Sequence, residues 1–204
     1  MKYALTTMLL LLSGPLLAQD TPPAPAPAPA PAVAPAPAPL PSRVRFETSM
    51  GSFTVRLETE RAPLTVSNFV TYVRAGHYDG TIFHRVIQNF VAQGGAFTPG
   101  NEGKPTREPV VNESGNGLTN RRGTLGMARL EKAHSATSQF YVNLADNPDL
   151  NPLPSRWGYT VFGEVVEGME VVDRIGHVPT GEVGPFKQDA PLKPVVIEKV
   201  TVLE

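Results

Sequence analysis

The chain has 204 residues, enough for one domain with a real core, and its 18 basic and 19 acidic side chains leave a formal charge of −1. That balance offers no electrostatic case for nucleic acid or an anionic membrane as a partner. The absence of cysteine excludes disulfides, thiolate catalysis and Cys-ligated metals, and His77, His84, His134 and His177 follow no metal-binding spacing, so neither metal nor cofactor is expected.

Residues 1–18 have the pattern of an export signal. Lys2 supplies the positive start, Ala4 to Leu12 a short apolar run, and Ser13-Gly14-Pro15 a helix break. Ala18 then offers a small residue before a cut at Gln19. The apolar run is far below the ~20 residues that span a bilayer, so no transmembrane anchor is expected in the mature form. Residues 19–42, QDTPPAPAPAPAPAVAPAPAPLPS, can form neither helix nor ladder and carry too little apolar surface to pack. They are expected to form a disordered linker of polyproline II character, a spacer of roughly 60–70 Å at about 3.1 Å per residue. The folded domain is expected over 43–204.

From Arg43 the composition turns to strand chemistry. Val44–Thr48 and Phe53–Leu57 alternate apolar and polar residues around Ser49-Met50-Gly51-Ser52 and predict a hairpin. Pro63 opens a helix whose Val66, Phe69, Val70 and Val73 form one apolar stripe, stopped by Gly76. Further strands are predicted at Thr81–Ile87, Phe90–Gln93, Thr124–Arg129, Gln139–Leu144, Thr160–Val166 and Val195–Val202, with a short helix at Met169–Ile175. Eight strands and two helices point to a closed barrel or a sandwich rather than a βαβ sheet. The glycine- and proline-rich stretch between Gly94 and Gly123 is long for a connection, which marks it as functional or packed over a surface.

The catalytic patterns G-x-S-x-G, P-loop, G-x-G-x-x-G and H-E-x-x-H are absent. An enzyme with this inventory needs a reaction that asks little of acids, bases or metals. Rotation about an X-Pro peptide bond is one, because no covalent bond changes although amide resonance sets a barrier of about 18–20 kcal/mol. A catalyst needs an apolar slot for the proline ring, donors for the flanking carbonyls, and a fixed cation near the imide nitrogen. The stretch FHRVIQNFVAQGG, residues 83–95, has that character: an arginine in an apolar strand, followed by Phe90, Gln93 and two glycines. By simple alternation Phe83, Arg85 and Ile87 share a face and His84 takes the opposite one in a structural role, so a turn or bulge at Gln88-Asn89 must bring Phe90 to the side of Arg85.

Together with MARLEKAHSATSQFYVN (Met127–Asn143) and YTVFGEVVEGMEVVDRI (Tyr159–Ile175), that stretch resembles the cyclophilin-type peptidyl-prolyl cis-trans isomerases, most closely their bacterial periplasmic branch. The resemblance runs over Val44–Val202. It implies a mainly β fold, a closed eight-stranded antiparallel barrel capped by two α-helices. It also implies isomerase activity on proline-containing unfolded or partly folded polypeptides during folding of exported proteins in the periplasm, without cofactor and as a monomer. By the same resemblance Arg85 is the catalytic residue. Phe90, Val91, Tyr141 and Leu150 wall the proline pocket, with Tyr159 where many members have histidine. Gln93 and Gln139 orient the arginine and the substrate backbone, and Ala128 and Arg129 fall on the strand whose backbone pairs with the residues before proline. Asp149 stands where the tryptophan important for cyclosporin binding is found, which implies weak inhibition by that drug, and Trp157 is expected under its loop. The rival reading is a non-catalytic proline-peptide-binding holdase that uses the same groove.

Overall fold

The computed structural model describes residues 40–203, so the expected signal and most of the Ala-Pro segment lie outside the described residues. The chain runs β1 (Arg43–Thr48), β2 (Gly51–Leu57), α1 (Pro63–Arg74), β3 (Thr81–Ile87), β4 (Val91–Gly94), β5 (Thr124–Met127), β6 (Phe140–Asn143), β7 (Val161–Glu167), α2 (Met169–Gly176), β8 (Thr180–Val183), β9 (Phe186–Pro191) and β10 (Val195–Leu203). Eight of the strands close into a barrel in the order β1-β10-β3-β4-β6-β5-β7-β2, with antiparallel neighbours throughout. The barrel and its two helices therefore follow the expected order, with ends shifted by a few residues. The hairpin β8–β9 is an addition that period-2 patterning did not reveal.

Alternation fills the barrel. Val44, Phe46, Phe53, Val55, Leu125, Phe140, Val142, Phe162 and Ile197 are buried in one core. Phe46 stacks on Phe53 with centroids 4.6 Å apart and tilts against Phe140 at 5.3 Å. The stripe predicted on α1 joins that core through Val66, Phe69, Val70 and Val73, and α2 does so through Val171, Val172 and Ile175. The helices sit at opposite ends of β6. Asn68 of α1 donates to the carbonyl of Thr137 at 2.7 Å, whereas a Cβ on Gly176 of α2 would lie 2.8 Å from the Leu144 side chain.

The long segment from Gly95 to Gly123 is held down by polar bonds. The Glu113 carboxylate accepts from the backbone N–H groups of Leu64 (3.1 Å) and Thr65 (2.8 Å) and from the Thr65 hydroxyl (2.6 Å), capping α1 from a distance, where Ala62 supplies no side-chain cap. Lys104 Nζ donates to the carbonyls of His77 (2.5 Å) and Asp79 (3.1 Å). No helix among the described residues is long and apolar enough to cross a membrane.

Alternation fails at one place in β3. Phe83 pairs with Gly94 but Arg85 pairs with Gln93, so His84 is an extra residue, a β-bulge. Phe83 and Val86 consequently both enter the core, and the expectation that Phe83, Arg85 and Ile87 share a face is wrong. His84 is not turned away from Arg85 either, since both side chains reach β9, His84 against the Phe186 ring at 5.5 Å and Arg85 toward Asp189. The expected turn at Gln88-Asn89 is present: Asn89 has φ 59° and the Phe90 N–H bonds back to the Ile87 carbonyl at 3.0 Å.

Candidate active site

The outer wall of the barrel over β3, β4, β6 and β5 carries the side chains that the core does not take. Val91 and Ala92 are adjacent on β4; Ala92 belongs to the core and Val91 points away from it. Cross-strand neighbours Arg85, Gln93, Tyr141 and Gly126 run in one row over that wall. Gly126 has no side chain, and its absence makes room: a Cβ there would lie 2.2 Å from the Tyr141 ring. The hydroxyl end of the Tyr141 ring therefore lies over the Gly126 backbone as a floor. Its hydroxyl donates to Asn120 Oδ1 at 2.7 Å, and burial, with Tyr159 nearby, keeps it protonated to well above the ordinary tyrosine range.

A pocket of about 330 Å³ opens on this wall, lined by Arg85, Phe90, Val91, Gln93, Ala128, Arg129, Tyr141, Leu150 and Tyr159. Nine of the ten residues singled out in the sequence thus share one cavity. The tenth, Gln139, adjoins it by accepting from Gln93 Nε2 at 2.9 Å. A larger groove of about 680 Å³ between α1 and residues 106–111 contains none of them.

The far wall is built by loop bonds that the sequence did not disclose. Asn147 Nδ2 donates to the carbonyl of Phe90 (2.9 Å) and to Asn143 Oδ1 (2.7 Å), and Asn151 Oδ1 accepts from both the backbone (2.8 Å) and the side chain (3.0 Å) of Asn120. Four asparagines thereby tie the segment bearing Leu150 to the pocket floor. Asn120, Asn147 and Asn151 are single asparagines indistinguishable from turn residues, and Asn143 reads as the end of a strand, so no pattern announced their bonds. The Tyr159 N–H donates to the Leu150 carbonyl at 2.9 Å, fixing these two walls to each other.

Strand β5 ends at Met127, so Ala128 and Arg129 lie just past it rather than on it, although the Ala128 N–H still bonds to the Gln139 carbonyl at 3.0 Å. The Arg129 guanidinium donates to the carbonyls of Gly158 (3.1 Å), Leu130 (2.9 Å), Glu131 (3.0 Å) and Trp157 (2.8 Å) and lies 4.6 Å over the Tyr159 ring. Trp157 is 48 % exposed with its ring against His134, so it does not pack under its loop. Asp149 sits on a single 3-10 turn, Pro148–Leu150, with its side chain in solvent. Among the described residues no His, Asp or Glu cluster that could hold a metal ion is present.

A closed eight-stranded barrel with two helices and a small half-apolar pocket beside an arginine on its outer wall defines the cyclophilin-like class. Residues 43–202 match the family described as cyclophilin type peptidyl-prolyl cis-trans isomerase/CLD. The chain is 51% identical to peptidyl-prolyl cis-trans isomerase B of Escherichia coli (strain K12), a match covering 79% of this chain and 99% of that one. It is 48% identical to peptidyl-prolyl cis-trans isomerase A of Dickeya dadantii (strain 3937), over 80% of this chain and 85% of that one. The fold superposes with a TM-score of 0.68 and 27% identity on the cyclophilin type isomerase of Cryptosporidium parvum, solved in the presence of the dipeptide ala-pro and covering 79% of this chain and 99% of that one. The chain belongs to the cyclophilin-type peptidyl-prolyl cis-trans isomerases.

Proposed function

We propose that this isomerase accelerates rotation about X-Pro bonds of unfolded or partly folded proteins outside the cytoplasm, in the periplasm, with Arg85 as the catalytic cation. The observation that carries the reading is the meeting of Arg85 with Phe90, Val91, Gln93, Tyr141, Leu150 and Tyr159 around one pocket. The proline ring enters the apolar part, over Tyr141 and between Phe90, Val91, Leu150 and Tyr159. The Gln93–Gln139 pair holds the substrate carbonyl and limits the travel of the guanidinium. Ala128 and Arg129 present the edge along which the residues before proline extend.

Twisting the bond removes amide resonance and localises the nitrogen lone pair. A guanidinium beside the pocket donates to that lone pair in the twisted state and has no such acceptor in the planar one, so binding strengthens in the transition state. Nothing else is needed, because no bond to carbon is made or broken. A ligand as small as Ala-Pro fills the minimal requirement, consistent with the dipeptide in the Cryptosporidium parvum structure.

The domain 43–204 acts as a monomer, residues 1–18 direct export and residues 19–42 form a tether that holds the domain off a surface or partner. Two assays test the reading: cis-to-trans conversion of a short Ala-Pro peptide, and refolding of a protein limited by a prolyl bond. Acceleration of both is expected. Peptide binding without acceleration would replace the catalyst by a holdase that uses the same groove.

A further inference from the structure

We propose that Asp189, on the hairpin β8–β9, is a positioning residue for Arg85; the inference rests on the reading of Arg85 as the catalytic cation. Asp189 Oδ2 lies 3.8 Å from Arg85 Nε and is the acidic partner of Arg85 among the described residues. It does not line the pocket, so it stands behind the guanidinium rather than beside the substrate. An arginine approached from its Nε edge keeps its two terminal nitrogens for a ligand.

Three features aim this carboxylate. The bulge at His84 turns His84 and Arg85 toward the hairpin. His84, Phe97 and Phe186 then pack as an aromatic cluster, with centroids 4.8 Å (His84–Phe97), 5.5 Å (His84–Phe186) and 5.0 Å (Phe97–Phe186) apart, which docks the hairpin on β3. Finally Asp189 adopts φ 62°, a left-handed conformation that aspartate tolerates better than most side chains and that a β-branched residue would not. Its side chain is 25% exposed against 41% for Arg85, so the pair is partly shielded on the carboxylate side. The hairpin therefore serves the reaction without touching substrate: it biases the rotamer of the cation that the pocket requires.

The test is a double-mutant cycle in the isomerisation assay, with Asp189→Asn and Asp189→Gly made in the native and the Arg85→Ala chain. Asparagine and glycine both accept the left-handed backbone, so each checks the other for folding, followed by thermal unfolding. Loss of the carboxylate should lower kcat/KM about two- to fivefold through kcat, with KM little changed, as suits an ion pair near the surface. In the Arg85→Ala background the same substitutions should change nothing. Equal losses in both backgrounds, or native kcat/KM in a folded Asp189→Asn and Asp189→Gly enzyme, would overturn the proposal. Native activity in Arg85→Ala alone would instead remove the catalytic reading on which it stands.

Discussion

Tyr141 shows how much one side chain depends on a residue that has none. Its ring occupies the space over Gly126 and its hydroxyl is bonded to Asn120, so it can serve as floor only while position 126 stays bare. In Gly126→Ala the new methyl would sit 2.2 Å from the ring, which must then move into the pocket or away from Asn120. We expect kcat/KM to fall about tenfold to a hundredfold, as for other angstrom-scale misplacements of a binding wall, measured in the peptide assay. Arg85, Phe90, Gln93 and Gln139 could be named from sequence because they sit within contiguous motifs. Gly126 and the asparagines 120, 143, 147 and 151 could not, because their roles exist only between strands and loops far apart in the chain.

Elements carry the two stability predictions. Glu113→Ala removes three acceptor contacts from the start of α1, two of them backbone donors with no other cap. The expected cost is about 1–2 kcal/mol, seen as a fall in Tm of roughly 3–6 °C with activity at low temperature retained. His84 makes the junction of β3 with the hairpin sensitive to acid. Burial, and then the charge of Arg85, lower its pKa to about 4 from the ordinary 6.5, and its Nδ1 has no hydrogen-bond partner among the described residues. The unfolded chain therefore takes the proton first. The stability contributed by neutral His84 is complete above pH 6.5 and is lost as pH falls from there through 4, by on the order of 3 kcal/mol. Chemical denaturation across that window should show a steeper decline for the native protein than for His84→Phe; parallel curves would contradict it. The hairpin itself escaped sequence reading for a physical reason. Neither strand has one face buried along its length, so alternation is never written into TGEV or FKQDAP. The bulge escaped because parity arguments presume regular pairing, and one extra residue inverts every face beyond it.

At the scale of the molecule, the interior of the barrel decides the fold and its outer wall carries the candidate pocket. The interior was legible, since residues such as Val44, Phe46, Phe53 and Val55 repeat at period 2 and those of α1 at helical spacing. Barrel and sandwich stayed unresolved by pattern alone, because both write the same alternation, and the motif resemblance separated them. The wall was legible where its residues lie within motifs, and at Leu150 through the resemblance alone. Closure leaves the strands no free edge along which to slip, so β3 and β4 hold Arg85 opposite Gln93. The most direct measurement is exchange between cis and trans Ala-Pro peptide, followed by NMR in the presence of the native protein and of Arg85→Ala. Loss of one preorganised donor should lower the catalysed rate about 10²–10³-fold while the peptide still binds. Equal exchange rates for the two proteins would contradict a mechanism built on that guanidinium.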